Sequence, residues 1–174
     1  MRRPVDDRRV RRFLAEIGRL AEEEGSAYLV GGATAVIEGW RPTTVDVDLR
    51  LEPEQESVLR ALPRLKHELE INVELASPLD FLPELPGWRD RSPFVTREGR
   101  LTVRHFDPYS QALAKIERGH DRDVADVEAM LARGLVEPRR LRELFASIEP
   151  ELYRFPAIDP AAFRRRLDEI VPGA

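Results

Sequence analysis

Asp46-Val47-Asp48 sets two carboxylates two residues apart, and a third acid, Glu74, sits in a second alternating stretch. Residues two apart on a strand project to the same face. Val45, Val47, Leu49 and Leu51 alternate with Asp46, Asp48 and Arg50, which predicts a strand over Val45–Leu51 with the apolar set on the core side. Two carboxylates that close repel, and one becomes protonated unless a cation sits between them. A hard divalent ion such as Mg²⁺ suits the pair, because it prefers oxygen ligands and also takes substrate phosphate oxygens. A solvent-facing acidic strand has the same pattern, so Asp-x-Asp alone decides nothing. Gly31-Gly32 lies between the apolar Tyr28-Leu29-Val30 and a helical stretch from Ala33. Glycine there lets the backbone approach a phosphate, although a plain tight turn uses the same dipeptide. Ile71-Asn72-Val73-Glu74-Leu75 alternates too. If the two strands are neighbours, Glu74 completes a three-carboxylate site; otherwise it is an exposed strand residue.

The elements that position these residues follow from the apolar spacing. A first helix is expected from about Val5 to Glu24, striped by Val10, Phe13, Leu14, Ile17, Leu20 and Ala21 and stopped by Gly25. A short strand over Tyr28–Val30 leads to a helix from Ala33 to about Glu38, broken at Gly39-Trp40-Arg41-Pro42. Pro53 to Glu70 is helical in pattern, with Pro63 kinking or dividing it. Pro78, Pro83 and Pro86 predict a rigid surface loop running through Trp88, followed by a hairpin of Phe94–Thr96 and Leu101–Val103. Four helices are then expected, over Tyr109–Gly119, Asp121–Arg133, Pro138–Ile148 and Pro160–Ile170. The fold class is α/β (α+β), with a core over 1–107 and a helical region over 108–174 packed on it.

Composition narrows the function. With 174 residues the chain fits one domain, or a core with an appended helical part. It has no cysteine, which excludes disulfides, zinc–thiolate sites and thiol nucleophiles. No apolar run approaches the ~18 residues of a membrane span, and Met1–Asp7 has no signal-peptide core, so a cytoplasmic location is expected. The net charge of −4 gives no global attraction to nucleic acid. Arg2, Arg3, Arg8, Arg9, Arg11 and Arg12 nevertheless make the start basic, a stretch that contacts RNA in some proteins and is a solvated helix face in more of them. Of 28 cationic residues only Lys66 and Lys115 are lysines. Lys115, Arg118 and Arg122 recur at helical spacing and predict a basic stripe. A solvated face paired with Asp126 or Glu117 fits that spacing equally well. The histidines His67, His105 and His120 do not form a ligand set. Trp40, Trp88 and Phe81 flank the cleft in sequence, more as core or loop anchors than as base-stacking platforms.

Leu29-Val30-Gly31-Gly32, a short helix, Arg41-Pro42-Thr43-Thr44 and Val45-Asp46-Val47-Asp48-Leu49 resemble the core of the polymerase-β nucleotidyltransferase superfamily. Within it the chain is similar to small bacterial nucleotidyltransferase-like proteins of the abortive-infection and toxin–antitoxin type. Ile71-Asn72-Val73-Glu74 resembles the third-acid strand. Phe106-Asp107-Pro108-Tyr109 through Ala114-Lys115-Ile116-Glu117-Arg118, with Asp123-Val124-Ala125-Asp126-Val127, resembles the helical motif. The likeness covers roughly residues 26 to 135. It implies a mixed sheet with flanking helices and assigns Gly31 and Gly32 to nucleotide phosphate contact. Asp46 and Asp48 become ligands of paired Mg²⁺ ions, with Mn²⁺ as a substitute. Glu74 becomes the third acid, holding the catalytic metal and helping to deprotonate the acceptor. Lys115 and Arg118 would contact the triphosphate, with Asp123 orienting them. Many superfamily members carry serine where this chain has Gly32, and Thr34 is the nearest hydroxyl that would replace it.

The resemblance implies transfer of a nucleoside monophosphate from a nucleoside triphosphate to a hydroxyl of tRNA, a protein or a small molecule. It also implies a toxin setting with an antitoxin partner. The alternative is a catalytically silent module that binds a nucleotide or a partner protein. An aspartyl-phosphate phosphatase is disfavoured, because Arg50 stands where that motif carries threonine or valine.

Overall fold

The structure, a computed structural model, describes residues 3–173. The chain divides into two compact units. The first comprises the chain up to Ser77 together with Ser92–Phe106. It contains β1 (Gly25–Val30), β2 (Asp46–Glu52), β3 (Asn72–Leu75), β4 (Phe94–Glu98) and β5 (Leu101–His105), with α1 (Asp7–Leu20), α2 (Gly32–Glu38) and α3 (Glu56–Glu68). The sheet runs β3-β2-β1-β5-β4. The β1–β2 and β4–β5 pairs are antiparallel, while β1–β5 and β2–β3 are parallel. This is the mixed α/β class expected for a nucleotidyltransferase core.

Asp6 starts α1 by accepting the Arg9 amide at 3.0 Å. Val10, Phe13, Leu14 and Ile17 then form a fully buried stripe that joins Val47, Leu49 and Val73 in one core. The helix ends at Leu20, short of the expected Glu24. The Gln55 side chain captures the chain there, accepting the amides of Glu22 (2.8 Å) and Glu23 (3.1 Å) and donating to the Glu23 carbonyl at 2.8 Å. Gln55 also immediately precedes α3, which therefore begins at Glu56 rather than Pro53. Pro63 lies inside α3 and does not divide it; its side is exposed, away from the buried Val58, Leu62 and Leu65.

Val45 does not belong to the core. It is 41% exposed and precedes β2. The residue before it, Thr44, pairs with Val5 through two backbone hydrogen bonds of 2.7 and 2.9 Å, so the buried alternation starts at Val47.

The second unit comprises Pro78–Arg91 and the chain from Asp107 onward. Its helices are α4 (Pro108–Arg118), α5 (Asp121–Ala132), α6 (Pro138–Ile148) and α7 (Pro160–Ile170). The proline-rich segment is not the surface loop its sequence predicts, because Leu82, Leu85 and Trp88 are each 1% exposed. Trp88 Nε1 donates to Glu84 at 2.8 Å. Arg91 ties the segment to α4 with a forked pair of hydrogen bonds to Asp107, at 3.1 and 2.7 Å. Asp107 is fully buried and also caps α4, accepting the amides of Tyr109 and Ser110 and the Ser110 hydroxyl. Arg166 of α7 closes the other end of α4, donating to the carbonyls of Ile116 at 2.9 Å and Glu117. No described helix is long and apolar enough to cross a membrane.

Candidate active site on the β2–β3 face

In β2, Val47, Leu49 and Leu51 point into the core, which leaves Asp46 and Asp48 half-buried on the opposite face. The parallel register sets Asp46 opposite Asn72 and Asp48 opposite Glu74. Directly opposed residues share a face, so the three acids and Asn72 form one polar patch on neighbouring strands. Asn72 was missed as a functional residue in the sequence, although its place two residues before Glu74 puts it on the same face. Its Nδ2 donates to Asp46 Oδ1 at 2.7 Å and to Glu74 Oε1 at 3.1 Å, so one amide bridges two carboxylates.

Among the described residues, no three or more histidine, aspartate or glutamate side chains are gathered as a metal-holding group. The donor set is nonetheless all oxygen, which suits a hard cation. The Asn72 bridge shows that Asp46 and Glu74 reach the same electropositive group. In that chemical sense the residues fit Mg²⁺.

The glycine turn lies beside this patch. Gly31 has φ +59°, a left-handed conformation that side chains disfavour. A Cβ there would lie 3.5 Å from Asp48 Oδ2, so the turn passes close to the carboxylate. Gly32 has a packing reason: a Cβ would sit 2.0 Å from Thr44 Oγ1. That hydroxyl donates to the Asp46 carbonyl at 2.9 Å, holding the entry to β2. The departure from serine at this position thus has a local partner in Thr44.

Thr34 is a core residue, 3% exposed. Its hydroxyl donates to the Leu29 carbonyl at 3.1 Å and meets His105 Nδ1 at 3.0 Å. The other ring nitrogen of His105, Nε2, lies 2.8 Å from Glu38 Oε1.

In the second unit, Lys115 is 4% exposed and ion-paired to Asp126 at 2.7 Å, with Asp123 at 3.8 Å. Arg118 pairs with Asp123 at 2.7 Å and keeps a side chain 52% exposed. The continuous basic stripe expected from sequence is absent. Gly119 ends α4 in the left-handed conformation, so Arg122 rides on α5 instead. Of the aromatics, Trp88 is a buried anchor while Phe81 is 56% exposed. His120 stands at the N-cap position of α5.

Residues 9–157 match the family model described as nucleotidyltransferase of unknown function (DUF6036). The chain belongs to this family. No curated protein and no solved structure matches significantly. The family match spans both units, and it agrees with the superfamily that the glycine turn and the acidic strand resemble.

Proposed function

We propose that this nucleotidyltransferase-family protein is a metal-dependent enzyme that moves a nucleoside monophosphate from a nucleoside triphosphate to a hydroxyl acceptor. The observation that carries the reading is the β2–β3 register, which gives Asp46, Asp48 and Glu74 a common face beside a turn that requires glycine at Gly31. Asp46, Asp48 and Glu74 would hold Mg²⁺ or Mn²⁺. A bound ion would supply charge neutralisation at the triphosphate and activation of the acceptor oxygen. The exposed Glu74 carboxylate takes the proton of the attacking hydroxyl. The acceptor oxygen forms its bond to the α-phosphorus as the bond to the β-phosphate oxygen breaks, and pyrophosphate leaves. Gly31 and Gly32 give the phosphates a close backbone approach, and Thr34 has no place in that contact. Arg118 offers the accessible cation of the helical motif, while Lys115 acts through Asp123 and Asp126. A cytoplasmic setting, a toxin role and an antitoxin partner are the finer readings the resemblance adds.

A silent nucleotide- or partner-binding module is the second reading. It is favoured by the Asn72 amide, which already occupies oxygens of Asp46 and Glu74. Mass spectrometry of RNA, protein and small-molecule pools, after incubation with each nucleoside triphosphate and Mg²⁺, separates the two. A nucleotidyl mass increment on an acceptor supports the enzyme. Nucleotide binding with no increment on any pool supports the silent module.

A further inference from the structure

A groove of about 820 Å³ opens between the start of α1 and the end of α3 in the first unit. Three arginines of α1, Arg8, Arg9 and Arg12, line one side, and His67, Glu68 and Glu70 line the other. Its acids are already engaged. Glu68 pairs with Arg64 at 2.8 Å, Glu70 pairs with Arg3 at 2.7 Å, and Asp6 caps α1. Arg9 donates to carbonyls, those of Leu69 and Glu70 at 2.6 Å and of Pro4 at 2.8 Å. Arg8 and Arg12, one helical turn apart, are exposed and make no ion pair among the described residues. Arg8 and Arg12 are thus the lining cations that no acid of the groove pairs with. Arg3 holds the Glu70 carboxyl below its ordinary range through a hydrogen bond and its charge, and Arg9 and His67 push it the same way.

The groove also has a position that matters. Glu70 lies in the turn that ends α3, two residues before Asn72 opens β3. On the other wall, the Val5–Thr44 bridge fixes the start of α1 to the residue two before Asp46. The arginines therefore lie near the end of the sheet where β2 and β3 begin, on its helix-covered side, and the acids occupy the other face of the same strands. A chain whose overall charge is −4 concentrates unpaired arginine at this place.

We propose that this groove binds the sugar–phosphate backbone of a nucleic-acid acceptor, with Arg8 and Arg12 each meeting a phosphate. It rests on the transferase reading and narrows the acceptor to RNA or DNA. Phosphate contacts of this kind position a strand without reading its sequence. Each contact adds about −0.7 to the slope of log K against log[salt] for a single strand.

The test uses the full chain and a fluorescein-labelled single-stranded RNA 12-mer of mixed sequence, titrated by fluorescence anisotropy from 50 to 300 mM NaCl. The variants are Arg8→Glu/Arg12→Glu and Arg8→Lys/Arg12→Lys. Both arginines are exposed, and a thermal melt shows whether each variant stays folded. We expect the double-glutamate variant to lose at least about tenfold in affinity at 100 mM NaCl, with a slope shallower by about 1.4 units. The double-lysine variant should keep the wild-type slope. RNA affinity and slope unchanged in the double-glutamate variant would overturn the inference. So would nucleotidyl transfer onto protein or small-molecule hydroxyls at an undiminished rate in that variant. RNA binding that depends on Arg8 and Arg12, in a protein that transfers no nucleotide, would sustain the groove and sink the transferase reading instead.

Discussion

Thr44 and Asn72 do for this site what no single motif residue does. Thr44 fills the space where a side chain at position 32 would lie. Gly32→Ser therefore overpacks the turn, and we expect a loss of about 1–3 kcal/mol in urea unfolding. The pair Gly32→Ser/Thr44→Gly, which removes both the Thr44 hydroxyl at 2.0 Å and its Cβ at 2.8 Å, should cost less than the sum of the two single variants; strictly additive losses would show that the contact is not the cause. Asn72 satisfies Asp46 and Glu74 together. Asn72→Leu leaves the diagonally placed carboxylates of Asp46 and Glu74 without their bridging donor. A net loss of about 1–2 kcal/mol near neutral pH is the expected scale for two hydrogen bonds to partly exposed charged groups. Chemical denaturation at pH 7.5 reads it directly.

At the scale of elements, polar groups buried beneath helices hold the second unit in register. Lys115 of α4 is nearly inaccessible and bonded to Asp126 of α5. Removing Asp126 leaves the buried Lys115 charge with only the more distant Asp123, which Arg118 already holds, so Asp126→Ala should destabilise by about 3 kcal/mol. Lys115→Met/Asp126→Leu should lose markedly less, and equal losses in the two would contradict the pairing. The sequence carries the strands and helices well where local signals agree. Both α6 and α7 open on a proline at their first turn and run over the expected ranges, because N1 proline and apolar spacing act locally. The acidic strand was legible for the same reason, since alternation of period two needs no partner to be seen. Long-range partners were not. Nothing near Asp107 announces Arg91, and nothing near Glu24 announces Gln55, so the buried loop and the early end of α1 went unseen. Lys115 looked like a surface cation because a helix face and a buried ion pair share one spacing.

For the molecule as a whole, pH reports on the His105 network inside the first unit. Burial pushes the His105 imidazole below its ordinary 6.5, against the opposing pull of Glu38, and Arg11 adds to the lowering. A histidine depressed in the folded state is protonated more readily in the unfolded chain. Stability is then full above about 6.5 and declines as pH falls through the folded value. Thermal midpoints between pH 7.5 and 5 should drop, and His105→Gln should flatten that part of the profile; an equally steep drop in the variant would assign the slope to other groups.

The central claim is chemical, and pyrophosphate release tests it most directly. Wild-type protein, each nucleoside triphosphate, Mg²⁺ and a pool of total RNA are incubated, and pyrophosphate is measured against Asp48→Asn and Glu74→Gln. We expect release that needs Mg²⁺ and falls at least about 100-fold in each variant, the scale of a lost electrostatic contact in a transition state. Release that survives Asp48→Asn unchanged, or no release with any triphosphate, would contradict it.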